Sequence, residues 1–171
     1  DIGAAVIGKL SFTLNNIYEE FTQYDFEQAV VHYRLGLELS DGTKEFINKG
    51  VYIVEEATCS DSFITLECLD YMSRFDKPYS ESKISYPATL GAIVRDACTV
   101  CEVPLGSAVF ENDDYMVREK HDDEALTFRQ VLLWAGQICC KWWKCSPSGE
   151  LVCGWYDTAA FEGMENTIQG G

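Results

Sequence analysis

A chain of 171 residues in which 47% are hydrophobic carries enough apolar material for one large or two small packed domains, which excludes a disordered polymer. Its 28 Asp and Glu outweigh 13 Lys and Arg and leave a formal charge of −15. That balance argues against direct binding to nucleic acid or to an anionic membrane surface, since both need a basic footprint, and no apolar run approaches the ~20 residues of a membrane-crossing helix.

From the N-terminus, Leu10, Phe12 and Leu14 alternate with Lys9, Ser11 and Thr13, the period of a half-buried strand that Asn15 and Asn16 end. Residues 17–28 are irregular and aromatic-rich, with Tyr18, Phe21, Tyr24 and Phe26. Val31, Tyr33, Leu35, Leu37 and Leu39 then alternate with His32, Arg34, Gly36 and Glu38, the clearest strand signal in the chain. Ser40-Asp41-Gly42-Thr43 predicts a hairpin turn, because the glycine accepts the positive φ that such turns demand. Residues 44–48 pair back, Gly50 marks a bulge or bend, and residues 51–57 continue the strand. After the polar turn Cys59-Ser60-Asp61-Ser62, residues 63–69 return as another strand and close on a short turn carrying Tyr71, Met72 and Phe75. From Lys77 to Lys83 the composition turns polar and loses its period, which places a module boundary there.

The second half opens with a helix. Leu90, Ile93, Val94, Ala97, Cys98 and Cys101 form one continuous apolar stripe, with Thr89 as cap, Pro87 in the first turn and Pro104 as the stop. A turn at Asn112-Asp113-Asp114 leads into a short strand from Tyr115 to Arg118. Thr127-x-x-Gln130 predicts the capping box of a second helix, with Leu126 and Val131 as its hydrophobic staple and Phe128, Val131, Leu132, Ala135 and Cys139 as its buried stripe. Lys141 to Lys144 and Leu151 to Tyr156 read as strands joined by the turn Ser146-Pro147-Ser148-Gly149, and the residues from Phe161 to Gly171 read as loose. The predicted fold is therefore α+β: antiparallel strands, then a smaller α+β module with two helices.

Eight cysteines invite a disulfide framework, but the chain is large enough for a real core and several cysteines fall at core-facing positions. Reduced thiols and a reducing compartment at the time of folding are the simpler expectation. Cys98-x-x-Cys101 with Cys140 and Cys145 is the best metal candidate, since structural zinc takes four thiolate or imidazole ligands in close pairs. Cys98 and Cys101 are equally explained by their place in the helix stripe, and that reading is preferred, so no metal ligand is assigned. A redox pair belongs at a helix N-terminus, and this one sits at the C-terminal end. His32 lies on the polar face of a strand, and His121 lies in a charged loop without the ligand period of a calcium site. The sequence has no Gly-x-Ser-x-Gly, no phosphate loop and no dinucleotide fingerprint. The adjacent carboxylates Glu55-Glu56 and Asp113-Asp114 would point to opposite faces of a strand and make no acid–base couple. No catalytic residue and no cofactor are assigned. Trp142-Trp143 and Trp155-Tyr156 could form a sugar-binding platform, although one Trp of an adjacent strand pair usually enters the core.

Several short motifs occur in a fixed order. Asp41-Gly42-Thr43 precedes Lys49-Gly50-Val51-Tyr52-Ile53-Val54-Glu55, followed by Ile64-Thr65-Leu66, Leu69-Asp70-Tyr71-Met72 and Phe75-Asp76. Tyr86-Pro87-Ala88-Thr89-Leu90 and Leu126-Thr127-Phe128-Arg129-Gln130-Val131-Leu132 lead to Ala135-Gly136, and Gly149-Glu150-Leu151 comes before Trp155-Tyr156. Each is weak alone, but the ordered series, from about Gly8 to Asp157, resembles the tail-tip or baseplate-hub proteins of bacteriophages and prophages, the family related to the contractile-phage hub. The cysteine load has no counterpart in that family's pattern.

The resemblance implies a non-catalytic structural role in a virion tail, in a protein synthesised in the bacterial host cytoplasm. It implies a β-rich, barrel-like tail-tube portion over residues 1–77, an inserted α+β module over residues 78–157, and a tail over residues 158–171 leading toward a second tube domain beyond this chain. The implied partners are other phage tail proteins and further copies of the chain, a homotrimer when full length, with neither nucleic acid nor membrane bound directly. The alternative is a carbohydrate-binding or host cell-surface recognition module of a tail protein. An enzyme fragment, such as part of a tail-associated peptidoglycan hydrolase, is the third class.

Overall fold

The period-two alternations of the first half become strands in the computed structural model, which describes residues 2–60 and 62–156. The expected tail over residues 158–171 lies outside the described residues. β1 (Lys9–Asn15), β2 (Val30–Glu38), β3 (Lys44–Cys59) and β4 (Phe63–Asp70) form one curled antiparallel sheet in the order β1-β4-β3-β2. The β2–β3 turn is closed by Asp41, whose Oδ1 accepts from the Thr43 amide at 2.9 Å, while Gly42 takes φ +83°. β3 is one long strand with two register shifts. The first lies beside Gly50, where Tyr33 pairs with Gly50 but Arg34 with Asn48, so the bulge expected there is present. The second skips Glu55.

Register decides which face is buried. Leu10 stands opposite Cys68, Phe12 opposite Leu66, Leu14 opposite Ile64, and Val54 opposite Cys68, which puts the apolar set on one side. The irregular aromatic segment folds back over this face, where Phe21, Phe26 and Ala29 pack against Val54, Ile64, Leu66 and Cys68. Asn16, almost fully buried, fixes that fold-back: its Oδ1 accepts from the Phe21 amide at 2.9 Å and its Nδ2 donates to Thr22 Oγ1 at 3.2 Å.

The second core begins before the expected boundary at Lys77. A 3-10 turn over Tyr71–Asp76 inserts Met72 and Phe75, both fully buried, among the residues of the helical half. β5 (Ala88–Thr89), α1 (Leu90–Val100), β6 (Met116–Val117), α2 (Phe128–Cys139), β7 (Trp142–Cys145) and β8 (Leu151–Gly154) follow. Thr89 Oγ1 accepts from the Ala92 amide at 3.2 Å and caps α1, while Pro87 lies outside the helix, before β5. Thr127 Oγ1 accepts from the Gln130 amide at 3.3 Å and caps α2, with Leu126 and Val131 both buried as a staple requires. The segment before β1 also joins this core. The Gly3 amide donates to Lys141 O at 2.7 Å, and the Trp143 amide donates to Ala4 O at 2.8 Å. The module touches the sheet through the β7–β8 turn. Gly149, at φ +83°, lies so close that an added Cβ would stand 3.2 Å from the Tyr71 ring and 3.3 Å from Val51. The chain is thus α+β.

Candidate functional site: open sheet edges and an apolar hairpin

The apolar face that covers one core does not stop where the core stops. Beyond Val31 and Tyr52, it continues along the projecting part of the β2–β3 hairpin through Tyr33, Leu35 and Leu37, with Ile47 paired opposite Leu35. Nothing described covers these side chains: Leu35 is 50% exposed, Ile47 61% and Leu37 62%. On the other face of the hairpin Phe46 is exposed over Gly36, and the Arg34 guanidinium stacks on its ring at 5.2 Å. A soluble monomer rarely leaves large apolar groups clustered on both faces of a ribbon, because each retains the free-energy cost of its hydration.

The sheet is also open at both sides. Among the described residues, neither β1 nor β2 has a partner strand on its outer edge. A row of unpaired N–H and C=O groups is a template for pairing with another chain. Every neighbour pair in the sheet is antiparallel, so β1 and β2 run in opposite directions.

The opposite face of the sheet is divided. Val51 and Ile53 are buried on it. Farther along it presents Ser11, Thr13, Glu56, Thr58, Thr65 and Glu67. Ser11 Oγ donates to Glu67 Oε1 at 2.6 Å, and the Thr13 and Thr65 hydroxyls lie 3.2 Å apart. Glu56 stands directly opposite Glu67. Two carboxylates across one ladder repel, so this strip is anionic at a cost to the isolated sheet.

The structure pairs none of the eight cysteines. Cys98 and Cys101 end the buried stripe of α1, Cys145 is half-buried on β7, and Cys140 is exposed where the chain leaves α2 at φ +54°. Burial pushes the thiols of Cys98, Cys101, Cys139 and Cys145 up to about 12; at Cys101 nearby Lys77 opposes the rise without cancelling it. Thiols held protonated are poor nucleophiles at neutral pH. No group of three or more His, Cys, Asp or Glu among the described residues is arranged to hold a metal ion.

The other sequence candidates are separated. His32 is exposed on β2, and His121 lies on the Trp134 ring at 5.3 Å with its Nδ1 accepting from the Asp123 amide. Trp143 is buried against Phe110, Trp142 lies under the Lys144 ammonium, and Trp155 stays 41% exposed beside Tyr156. With Trp143 withdrawn into the core, the three indoles make no common platform. No helix among the described residues is long and apolar enough to cross a membrane.

Comparison with protein families, with curated proteins and with solved structures returns no match.

Proposed function

We propose that this chain is a non-catalytic structural component of a phage or prophage tail tip or baseplate hub, linking the tail tube to the distal tip. The observation that carries the reading is the open, curled sheet with its apolar hairpin, joined to the ordered motif series. In this reading residues 1–77 are the tail-tube-like portion and residues 78–157 the inserted module. Because β1 and β2 run in opposite directions, the β1 edge of one copy meets the β2 edge of the next as an antiparallel pair. Such a contact is heterologous and closes into a ring when its rotation allows. The hairpin residues Leu35, Leu37 and Ile47 then find cover on the neighbouring copy. The strip carrying Glu56 and Glu67 is the face we assign to the lumen, where carboxylates repel DNA phosphate and keep the passage free of adhesion. Full-length protein is then a homotrimer contacting other tail proteins. The carbohydrate-module alternative loses Trp143 to the core and keeps the half-buried Trp142 and the exposed Trp155–Tyr156 pair.

Leu35→Lys with Ile47→Lys tests this reading. Each side chain is about half exposed, so covering the rest stabilises a contact by about 1 kcal/mol, and the pair by about 2 kcal/mol. The double variant of the full-length protein should associate roughly 30-fold more weakly in sedimentation equilibrium. Assembly at the parent's affinity would count against the hairpin as an interface.

A further inference from the structure

The unpaired backbone groups on the two open edges can be assigned residue by residue. The Asp70 amide donates to Gly8 O and the Asn16 amide to Ser62 O, so the even-numbered residues of β1 bond to β4. Pair types alternate along an antiparallel ladder, and Lys9, Ser11, Thr13 and Asn15 therefore direct their N–H and C=O groups outward. On β2, the Leu39 amide donates to Thr43 O, and Ala29 O accepts from the Val54 amide, so the odd-numbered residues bond to β3. Val30, His32, Arg34, Gly36 and Glu38 face the open side. The usual defences of an edge are thin here: neither strand contains proline, and the extra residue of the bulge beside Tyr33 belongs to β3. The chain has 28 carboxylates, yet among these outward positions only Glu38 carries one. Edges so nearly free of negative charge suit contact between copies that otherwise repel.

The longest antiparallel overlap pairs all seven residues of β1 within β2. Three registers achieve it, with Phe12 opposite Tyr33, Arg34 or Leu35. The middle one sets Phe12 against the polar side of β2 and turns outward backbone groups toward inward ones, so it fails on both counts. With Phe12 opposite Tyr33, Lys9 meets Gly36, while Leu37 and Glu38 stay unpaired. With Phe12 opposite Leu35, Leu10 meets Leu37, Leu14 meets Tyr33, and Lys9 meets Glu38. Of the three, this last register alone covers the 62% exposed Leu37 and sets opposite charges across the ladder. Glu38 would then lie between Lys9 of the neighbouring copy and its own Lys44, 3.7 Å away.

Resting on the reading that copies meet edge to edge, we propose that β1 of one copy pairs with β2 of the next in the register that sets Phe12 opposite Leu35 and Lys9 opposite Glu38.

Disulfide trapping in the whole chain, with the exposed Cys59 and Cys140 replaced by serine, tests the register. Thr13 and Arg34 stand directly opposite in it, with Cα atoms about 5.5 Å apart, within the reach of a disulfide. Ser11, which would face Arg34 in the rival register, lies about 9 Å from it, beyond the ~7 Å that a disulfide spans. Under mild oxidation, Thr13→Cys with Arg34→Cys should link copies roughly tenfold faster than Ser11→Cys with Arg34→Cys, with the joined peptides identified by mass spectrometry. Faster linkage through position 11, or linkage of one position to itself, would overturn the register. Association in light scattering with no linkage in either variant would overturn the register and leave assembly standing, whereas a chain that does not associate at all would overturn both. Should a cysteine variant fail to fold, Lys9→Glu should weaken association about threefold and added Glu38→Lys should restore it; a loss that stays unrestored would count against the register.

Discussion

Asn16 is the residue whose removal most directly tests how the sheet obtains its cover. It is 5% exposed, and its amide holds the start of the aromatic fold-back by two hydrogen bonds. In Asn16→Ala the two partners fare differently. Thr22 is exposed and turns its hydroxyl to water. The Phe21 amide is partly buried, and losing its acceptor should cost about 1–3 kcal/mol, the desolvation penalty of an orphaned donor. Thr22→Ala should change stability by no more than about 0.5 kcal/mol. All four tryptophans lie beyond residue 133, so indole fluorescence reports the helical module, while far-UV circular dichroism also reports the sheet. In urea, Asn16→Ala should shift the dichroism transition, and hydrogen exchange at the Phe21 amide should accelerate. An unchanged dichroism midpoint together with an unchanged Phe21 exchange rate would refute the role given to Asn16.

Two further outcomes concern the helical module. Thr127→Ala should cost about 1 kcal/mol through loss of the α2 cap, and Thr89→Ala a similar amount at α1, as measured by denaturation midpoints. Thiol alkylation at pH 8 should modify Cys59 and Cys140, the two exposed cysteines, and spare Cys98, Cys101, Cys139 and Cys145 until the chain unfolds; rapid labelling of these four in the native state would contradict their burial. The same thiols make stability depend on pH. Their folded values near 12 lie above the unfolded value of about 8.5, so their contribution is complete below pH 8.5 and is lost as pH rises toward 12. Stability measured from pH 7 to 11 should therefore fall on the alkaline side.

Much of the local structure is legible because it is written in short-range chemistry. The alternation around Phe12 and Tyr33, the turn at Asp41-Gly42, the bulge at Gly50 and the caps Thr89 and Thr127 each depend on residues a few positions apart. What the sequence hides depends on long-range contact. Gly3 and Ala4 have no period, yet they bond to Lys141 and Trp143. Met72 and Phe75 read as the end of the strand region but fill the core of the helical half. The alternation Tyr33-Leu35-Leu37 marks a face that avoids water without saying what covers it, and within one copy nothing described does. The Tyr79 and Tyr86 hydroxyls meet at 2.6 Å, a contact no motif signals.

The central claim is that copies of this sheet assemble through their open edges. Light scattering on the full-length protein and on this chain alone, at low and moderate salt, tests it most directly. Each copy carries a formal charge of −15, so bringing copies together is self-repelling and is relieved by screening. The expected result is a trimer for the full-length protein, weaker but measurable self-association of this chain, which carries both edges, and tighter association as ionic strength rises. A full-length protein that remains monomeric at high concentration in every salt, even beside its tail partners, would contradict it.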